Sequence, residues 1–204
     1  MVTCTIFVSL RETKCMHDFE PDIKRSVEIL SNKGVILYPT DTVWGLGCDA
    51  TDDEAVAKIY NIKKRSDSKA LIVLAATERD VMQYTAAVDL SLFDFLGETE
   101  KPTTVIYEHG IGFADNLLAD DGSIAIRIAK DEFCRALIKR FGKPIVSTSA
   151  NLSGEPTPAN FSQISDGLKS SVDYIVNYKQ DDETPATPSS IIKWSDGEVF
   201  YIRK

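Results

Sequence analysis

The sequence is poor in the residues on which several common chemistries depend. Histidine occurs twice, at His17 and His109, and no credible His-centred triad can be built around either. The four cysteines, Cys4, Cys15, Cys48 and Cys134, include no C-x-x-C pair. Neither a disulfide framework nor a zinc site is implied, and reduced thiols in a cytosol are expected. Positive charge is in deficit: 23 Lys and Arg stand against 31 Asp and Glu, a net charge of −8. That balance argues against a protein that coats nucleic acid non-specifically, because polyanion binding draws on clustered cations. No apolar run approaches the ~20 residues of a membrane helix. The first ten residues hold the run Thr5-Ile6-Phe7-Val8 but no basic leader or small-residue cleavage site, so export is not expected. Both common nucleotide loops are missing too: there is no G-x-x-x-x-G-K, and Gly45-Leu46-Gly47 lacks the later glycine of a dinucleotide loop.

What is present reads as one α/β domain spanning residues 1–204, with its core from about residue 20 to 203. A chain of 204 residues, 43% hydrophobic and 26% charged, can bury an adequate core without staples. Asp22 to Lys33 carries Ile23, Val27 and Leu30 at helical spacing and stops at Gly34. Val35 to Tyr38 is a strand broken by Pro39. Thr51-Asp52-Asp53-Glu54 has the form of a capping box, starting a helix that should end near Arg65. Leu71–Leu74, Thr104–Tyr107, Ser123–Ile128 and Ile145–Ser147 are strand candidates. Thr77–Tyr84, Ser91–Leu96 and Asp131–Phe141 are helix candidates. A closing hairpin turns at Asp196-Gly197. Alternation of this kind implies a mixed sheet flanked by helices.

Polar chemistry gathers at strand ends. The segment from Tyr38 to Gly47 reads as a loop of hydroxyl and glycine residues that can approach a ligand closely. Ser147 to Gly154, Ser-Thr-Ser-Ala-Asn-Leu-Ser-Gly, offers hydroxyls and an amide suited to phosphate oxygens or an amino-acid zwitterion. Lys63-Lys64-Arg65 with Lys69 is the densest cation cluster, at the end of a helix where cations are favoured without any ligand. Arg135, Lys139, Arg140 and Lys143 form another on a helix. Each loop alone is compatible with an ordinary turn and each cluster with a solvated face. Together the polar loops outline a crevice at strand ends of an α/β sheet.

The ordered set Pro39-Thr40-Asp41-Thr42 with Gly45-Leu46-Gly47, then Lys63-x-Arg65, then Ser149-x-Asn151, resembles the YrdC/TsaC family of threonylcarbamoyl-AMP synthases, from about Ile23 to Arg203. The resemblance implies a YrdC-like twisted mixed sheet flanked by helices, with a cationic concave cavity for ATP and L-threonine. It implies Lys63 and Arg65 as catalytic, on the ATP phosphates together with Lys69. Thr42, Arg127, Ser147, Ser149, Asn151 and Ser189 are implied on the substrate side; Ser123, Ser149, Thr157 and Arg203 on the nucleotide side. The reaction implied joins L-threonine, bicarbonate and ATP into threonylcarbamoyl-AMP and pyrophosphate, with Mg2+ accompanying ATP. Downstream, the implied partners are a tRNA-modifying transfer complex and a contact with tRNA or double-stranded RNA, in the cytoplasm and not at a membrane. The sequence departs from the pattern at Ser66 and Ala70, where relatives often have proline, at Leu74, where many carry histidine, and at Glu100-Lys101-Pro102-Thr103-Thr104. Two rival readings are carbamoyl-adenylate chemistry of the hydrogenase-maturation type and an RNA-binding module without catalysis.

Overall fold

The computed structural model describes residues 19–64, 71–195 and 197–204. Arg65, Lys69, Ser66 and Ala70, the Thr5–Val8 run, and Cys4 and Cys15 lie outside them. Among the described residues nine strands form one mixed sheet in the order β7-β1-β2-β6-β3-β5-β4-β8-β9. The strands are β1 (Ile36–Tyr38), β2 (Gly45–Gly47), β3 (Ile72–Ala75), β4 (Thr103–Tyr107), β5 (Ile124–Ile128), β6 (Ile145–Ser149), β7 (Tyr174–Ile175), β8 (Ser190–Ser195) and β9 (Glu198–Arg203). The helices are α1 (Glu20–Ser31), α2 (Asp53–Lys63), α3 (Glu78–Tyr84), α4 (Ser91–Glu98), α5 (Glu132–Phe141) and the single turn α6 (Asp166–Lys169).

Period-two alternation splits the strand side chains between two cores. On one face Leu37, Leu46, Val73, Val105, Ile126, Val146 and Ile192 pack with Ala55, Val56, Ile59 and Tyr60 of α2 and with Leu92 and Phe93 of α4. On the other, Ile36, Tyr38, Leu74 and Ile145 meet Ile23 and Leu30 of α1 and Phe133, Leu137 and Ile138 of α5. Leu74, where relatives often have histidine, belongs to this second core and is fully buried.

Three expectations need correction. Asp52, not Thr51, caps α2: its carboxylate accepts from the Ala55 N–H at 2.9 Å, while the Thr51 hydroxyl donates to Asp49 Oδ1 at 2.7 Å. The capping box occurs instead at Thr77 and Asp80, at the start of α3. Gly45 to Gly47 is not loop but strand β2, paired antiparallel with β1 on one side and β6 on the other. β6 likewise runs on through Ser149, so the first three residues of the hydroxyl-rich segment are strand.

Candidate active site

The face that carries α1 and α5 is left open farther along the same strands. Ile72 of β3 pairs with Ser147 of β6 and Ala125 of β5, one alternation away from the Leu74–Ile145 and Leu74–Arg127 pairs. Ser147 and Arg127 therefore share the face of the second core but lie at its margin, where the helices no longer cover it. The open stretch is a cavity of about 290 Å3. It brings together Thr42, Arg127, Ser147, Ser149, Thr157, Ser189 and Arg203, seven residues that sequence and resemblance single out. Its described lining includes two arginines and no carboxylate.

Arg127 is 3% exposed. Its Nη2 lies 3.1 Å from Asp41 Oδ1, near enough for charge attraction, yet the groups are not aligned as a hydrogen bond, and both Nε and Nη2 are buried donors without an acceptor. Asp41 Oδ2 accepts from the Lys130 N–H at 3.2 Å, fixing the carboxylate behind the guanidinium. A buried cation with a counter-charge on one side and unused donors is built to take a second anion, because unsatisfied buried donors cost about 1–3 kcal/mol each.

Thr42 is 8% exposed and can serve as an acceptor. The Thr40 hydroxyl donates to the Val43 carbonyl at 2.8 Å and receives the Thr42 N–H at 3.1 Å. With its proton committed, Thr40 Oγ1 accepts from the Thr42 hydroxyl at 3.0 Å, which leaves the Thr42 lone pairs for a donor on a ligand. Across the cavity, Arg203 donates from Nε and Nη2 to the Ser189 carbonyl at 3.1 and 2.8 Å. The Ser189 hydroxyl shares a hydrogen bond of 2.8 Å with Thr104. Burial, and then the nearby charge of Arg127, hold the Arg203 guanidinium below its usual range.

Lys63 differs from expectation. It is not on an exposed helix end but 2% exposed, reaching from the last turn of α2 to donate to the Ser149 carbonyl at 2.5 Å and the Asn151 carbonyl at 2.7 Å. Lys64 then closes the helix in the left-handed conformation. Lys63 thus clamps the end of β6 and the chain that follows it. Asn151 also works on backbone: its amide donates to the carbonyls of Leu152 and Glu155, and its Oδ1 is buried without a partner. Ser123 is not among the residues brought to this cavity. It precedes β5 at the end opposite Arg127 and lines a different cavity, with His109, Lys193 and Trp194, about 13 Å away at strand rise.

A second cavity of about 330 Å3 adjoins the first, and Thr42 lines both. Its walls include Pro39, Asp41, Trp44 and residues 184–187. No group of three or more His, Cys, Asp or Glu side chains that could hold a metal occurs among the described residues. Asp41 is the residue that sequence reasoning leaves without a role. The signal for it was an acid set directly between two threonines, Thr40 and Thr42, in a chain with an arginine on a central strand, a charge that burial would force to find a partner.

The Sua5/YciO/YrdC family model, described as "Telomere recombination", matches residues 28–204. The chain belongs to that family. Among its Sua5/YciO/YrdC relatives, a threonylcarbamoyl-AMP synthase of Idiomarina loihiensis is 34% identical over 172 residues, 82% of this chain and 90% of the relative. One of Xanthomonas euvesicatoria is 33% identical over 184 residues, 88% and 96% of the two chains. The crystal structure of E. coli YciO superposes with a TM-score of 0.77 at 26% identity, covering 90% of this chain and 89% of that one. P. abyssi Sua5 complexed with L-threonine gives 0.77 at 21% identity, covering 90% of this chain and 54% of that one, and shares the fold. The twisted mixed sheet flanked by helices is the family architecture.

Proposed function

We propose that the protein is an L-threonylcarbamoyladenylate synthase, converting L-threonine, bicarbonate and ATP to threonylcarbamoyl-AMP and pyrophosphate for the threonylcarbamoyladenosine modification of tRNA. The observation that carries this reading is the buried guanidinium of Arg127, with two unused donors facing a hydroxyl-lined cavity. A guanidinium fork of that kind fits an amino-acid carboxylate. Thr42 Oγ1 accepts from the ammonium or hydroxyl of threonine, and Ser147 and Ser149 supply further hydroxyls. The neighbouring cavity that shares Thr42 supports two ligands lying side by side.

The amine of threonine takes up carbon dioxide derived from bicarbonate to give a carbamate. A carbamate oxygen attacks the α-phosphorus of ATP, and the bond to pyrophosphate breaks. No covalent protein nucleophile is required; positioning and charge stabilisation carry such a transfer. Arg203 and Thr157 lie on the nucleotide side. Lys63 acts through the Ser149 and Asn151 carbonyls, holding the hydroxyls in register. Mg2+ enters with the ATP phosphates, as suits a cation that keeps much of its own hydration and takes few protein ligands. The resemblance assigns Arg65 and Lys69 to the phosphates, and hands the product to a tRNA-modifying complex in the cytoplasm.

Incubation with threonine, bicarbonate and ATP should release pyrophosphate only when threonine is present. Valine should support at least ten-fold less turnover, since it leaves a buried hydrogen-bonding partner unmatched at about 1–3 kcal/mol. Arg127→Lys should raise the threonine requirement more than that for ATP. Pyrophosphate release that ignores threonine would sink the proposal.

A further inference from the structure

The strands that line the candidate active site have opposite ends, and those ends border a larger cavity. Beyond β3 and β5, Ala76, Ile128 and Ala129 form part of a space of about 520 Å3, against about 290 Å3 for the site around Arg127. On β5 the consecutive residues Arg127 and Ile128 line one cavity each, Arg127 on the face of the second core and Ile128 packed against the first, so the two sites adjoin at that strand but open on different sides of the sheet. They share no described lining residue.

This cavity has two kinds of wall. Phe93, Leu96 and Ile128 make an apolar side. Arg79, Lys101, Lys130 and Arg135 surround it with four cations, against the single carboxylate of Glu78. The surplus stands out in a chain whose net charge is −8. Three of the four cations are also uncommitted: among the described residues Arg79, Lys101 and Arg135 form no ion pair or side-chain hydrogen bond. Lys130 does have partners, with its ammonium donating to the Thr99 carbonyl and lying 3.4 Å from that of Glu100. Four cations gathered round one concavity with a single carboxylate among them repel each other, and a further anion in their midst relieves that repulsion.

We propose that this cavity is a second binding site, for a mononucleotide-sized phosphate ester whose flat ring lies on Phe93, Leu96 and Ile128 while Arg79, Lys101 and Arg135 hold its phosphate. Its volume is in the range of small-ligand pockets, and a mostly apolar wall with a few convergent charged groups is their usual composition. A mononucleotide satisfies both walls at once, whereas inorganic phosphate leaves the apolar side wet and a nucleoside leaves the cations unpaired.

AMP titrated into the intact chain, followed by amide shifts of Gly97 and Ala129 in this cavity and of Gly45 and Ser149 in the other, tests the assignment. The Gly97 and Ala129 signals should saturate in the wild type and require at least ten-fold more AMP in Arg79→Glu/Arg135→Glu, with the Gly45 and Ser149 responses unchanged. Lys101→Glu, at an exposed side chain, should weaken the same response independently. Adenosine and inorganic phosphate should each bind there at least ten-fold more weakly than AMP. The site is overturned if Gly97 and Ala129 do not respond to AMP, if the charge-reversed variants respond as the wild type does, or if either fragment matches AMP. None of these outcomes depends on threonine-dependent turnover, so this assignment and the proposed activity stand or fall separately.

Discussion

Lys63 shows how one side chain can join two elements. Its ammonium is withdrawn from water and donates to two carbonyls at the end of β6, an arrangement in which truncation strands both acceptors and leaves a gap where the side-chain stem lay. Lys63→Ala should therefore cost about 3 kcal/mol of stability and lower the melting temperature by about 10 °C, while also reducing turnover. A variant that melts like the wild type yet has lost activity would return Lys63 to the phosphates. The sequence marks Lys63 as important through its position in Lys-x-Arg but cannot show where the ammonium goes. A lysine at a helix end ordinarily points to water, and only the approach of the chain after β6, 86 residues away in sequence, gives it buried partners. Asp41 is hidden for the same reason: its role exists only because β5 places Arg127 beside it.

At the level of single elements, the long amphipathic helices and the strands of mixed β-branched composition were legible because each carries its period over several residues. α1 and α5 begin and end within two residues of the sequence reading. β2 was not legible, since Gly-Leu-Gly has little intrinsic preference for strand; it becomes one because β1 and β6 pair with it on both sides, and those neighbours leave no room for a side chain at Gly47. A Cβ on Gly47 would lie 2.5 Å from Cε1 of Tyr38 and 3.0 Å from the Val146 carbonyl, and Tyr38 is itself fully buried and hydrogen-bonded to that carbonyl. Gly47→Ala should destabilise by about 1–3 kcal/mol, read as a lowered denaturant midpoint. Gly167→Ala, where the added methyl meets nothing within 4 Å, should leave the midpoint in place. Equal behaviour of the two variants would mean that the sheet relaxes around Gly47. The two-residue β7 and the single turn of α6 were likewise too short to carry a period, and tertiary pairing creates them.

Across the whole molecule, distant segments are joined by buried polar hubs as well as by the cores. Asp22 of α1 accepts from the Tyr174 hydroxyl, from the N–H and side-chain amide of Asn177, and from the Tyr178 N–H. Burial, reinforced by that carboxylate, pushes the Tyr174 hydroxyl up from 10.0 to about 12. An acid held protonated in the folded state contributes stability that is present below its ordinary range and lost as the unfolded chain ionises first. The denaturation midpoint should therefore fall as pH rises from 10 to 12, and fall less steeply in Tyr174→Phe; parallel curves would show that the tyrosine does not sense the junction. The order of the sheet has a further result, for how the chain is made. β6 lies between β2 and β3, so a growing polypeptide completes the β1–β2 hairpin and the β3–β5 pair long before the strand that unites them leaves the ribosome. Until residues 145–149 emerge, the nascent chain holds two half-sheets with bare edges, the condition under which strands find wrong partners. Assembly of the cavity around Arg127 is accordingly a late event, since it awaits β6 and then the C-terminal segment that brings Ser189 and Arg203.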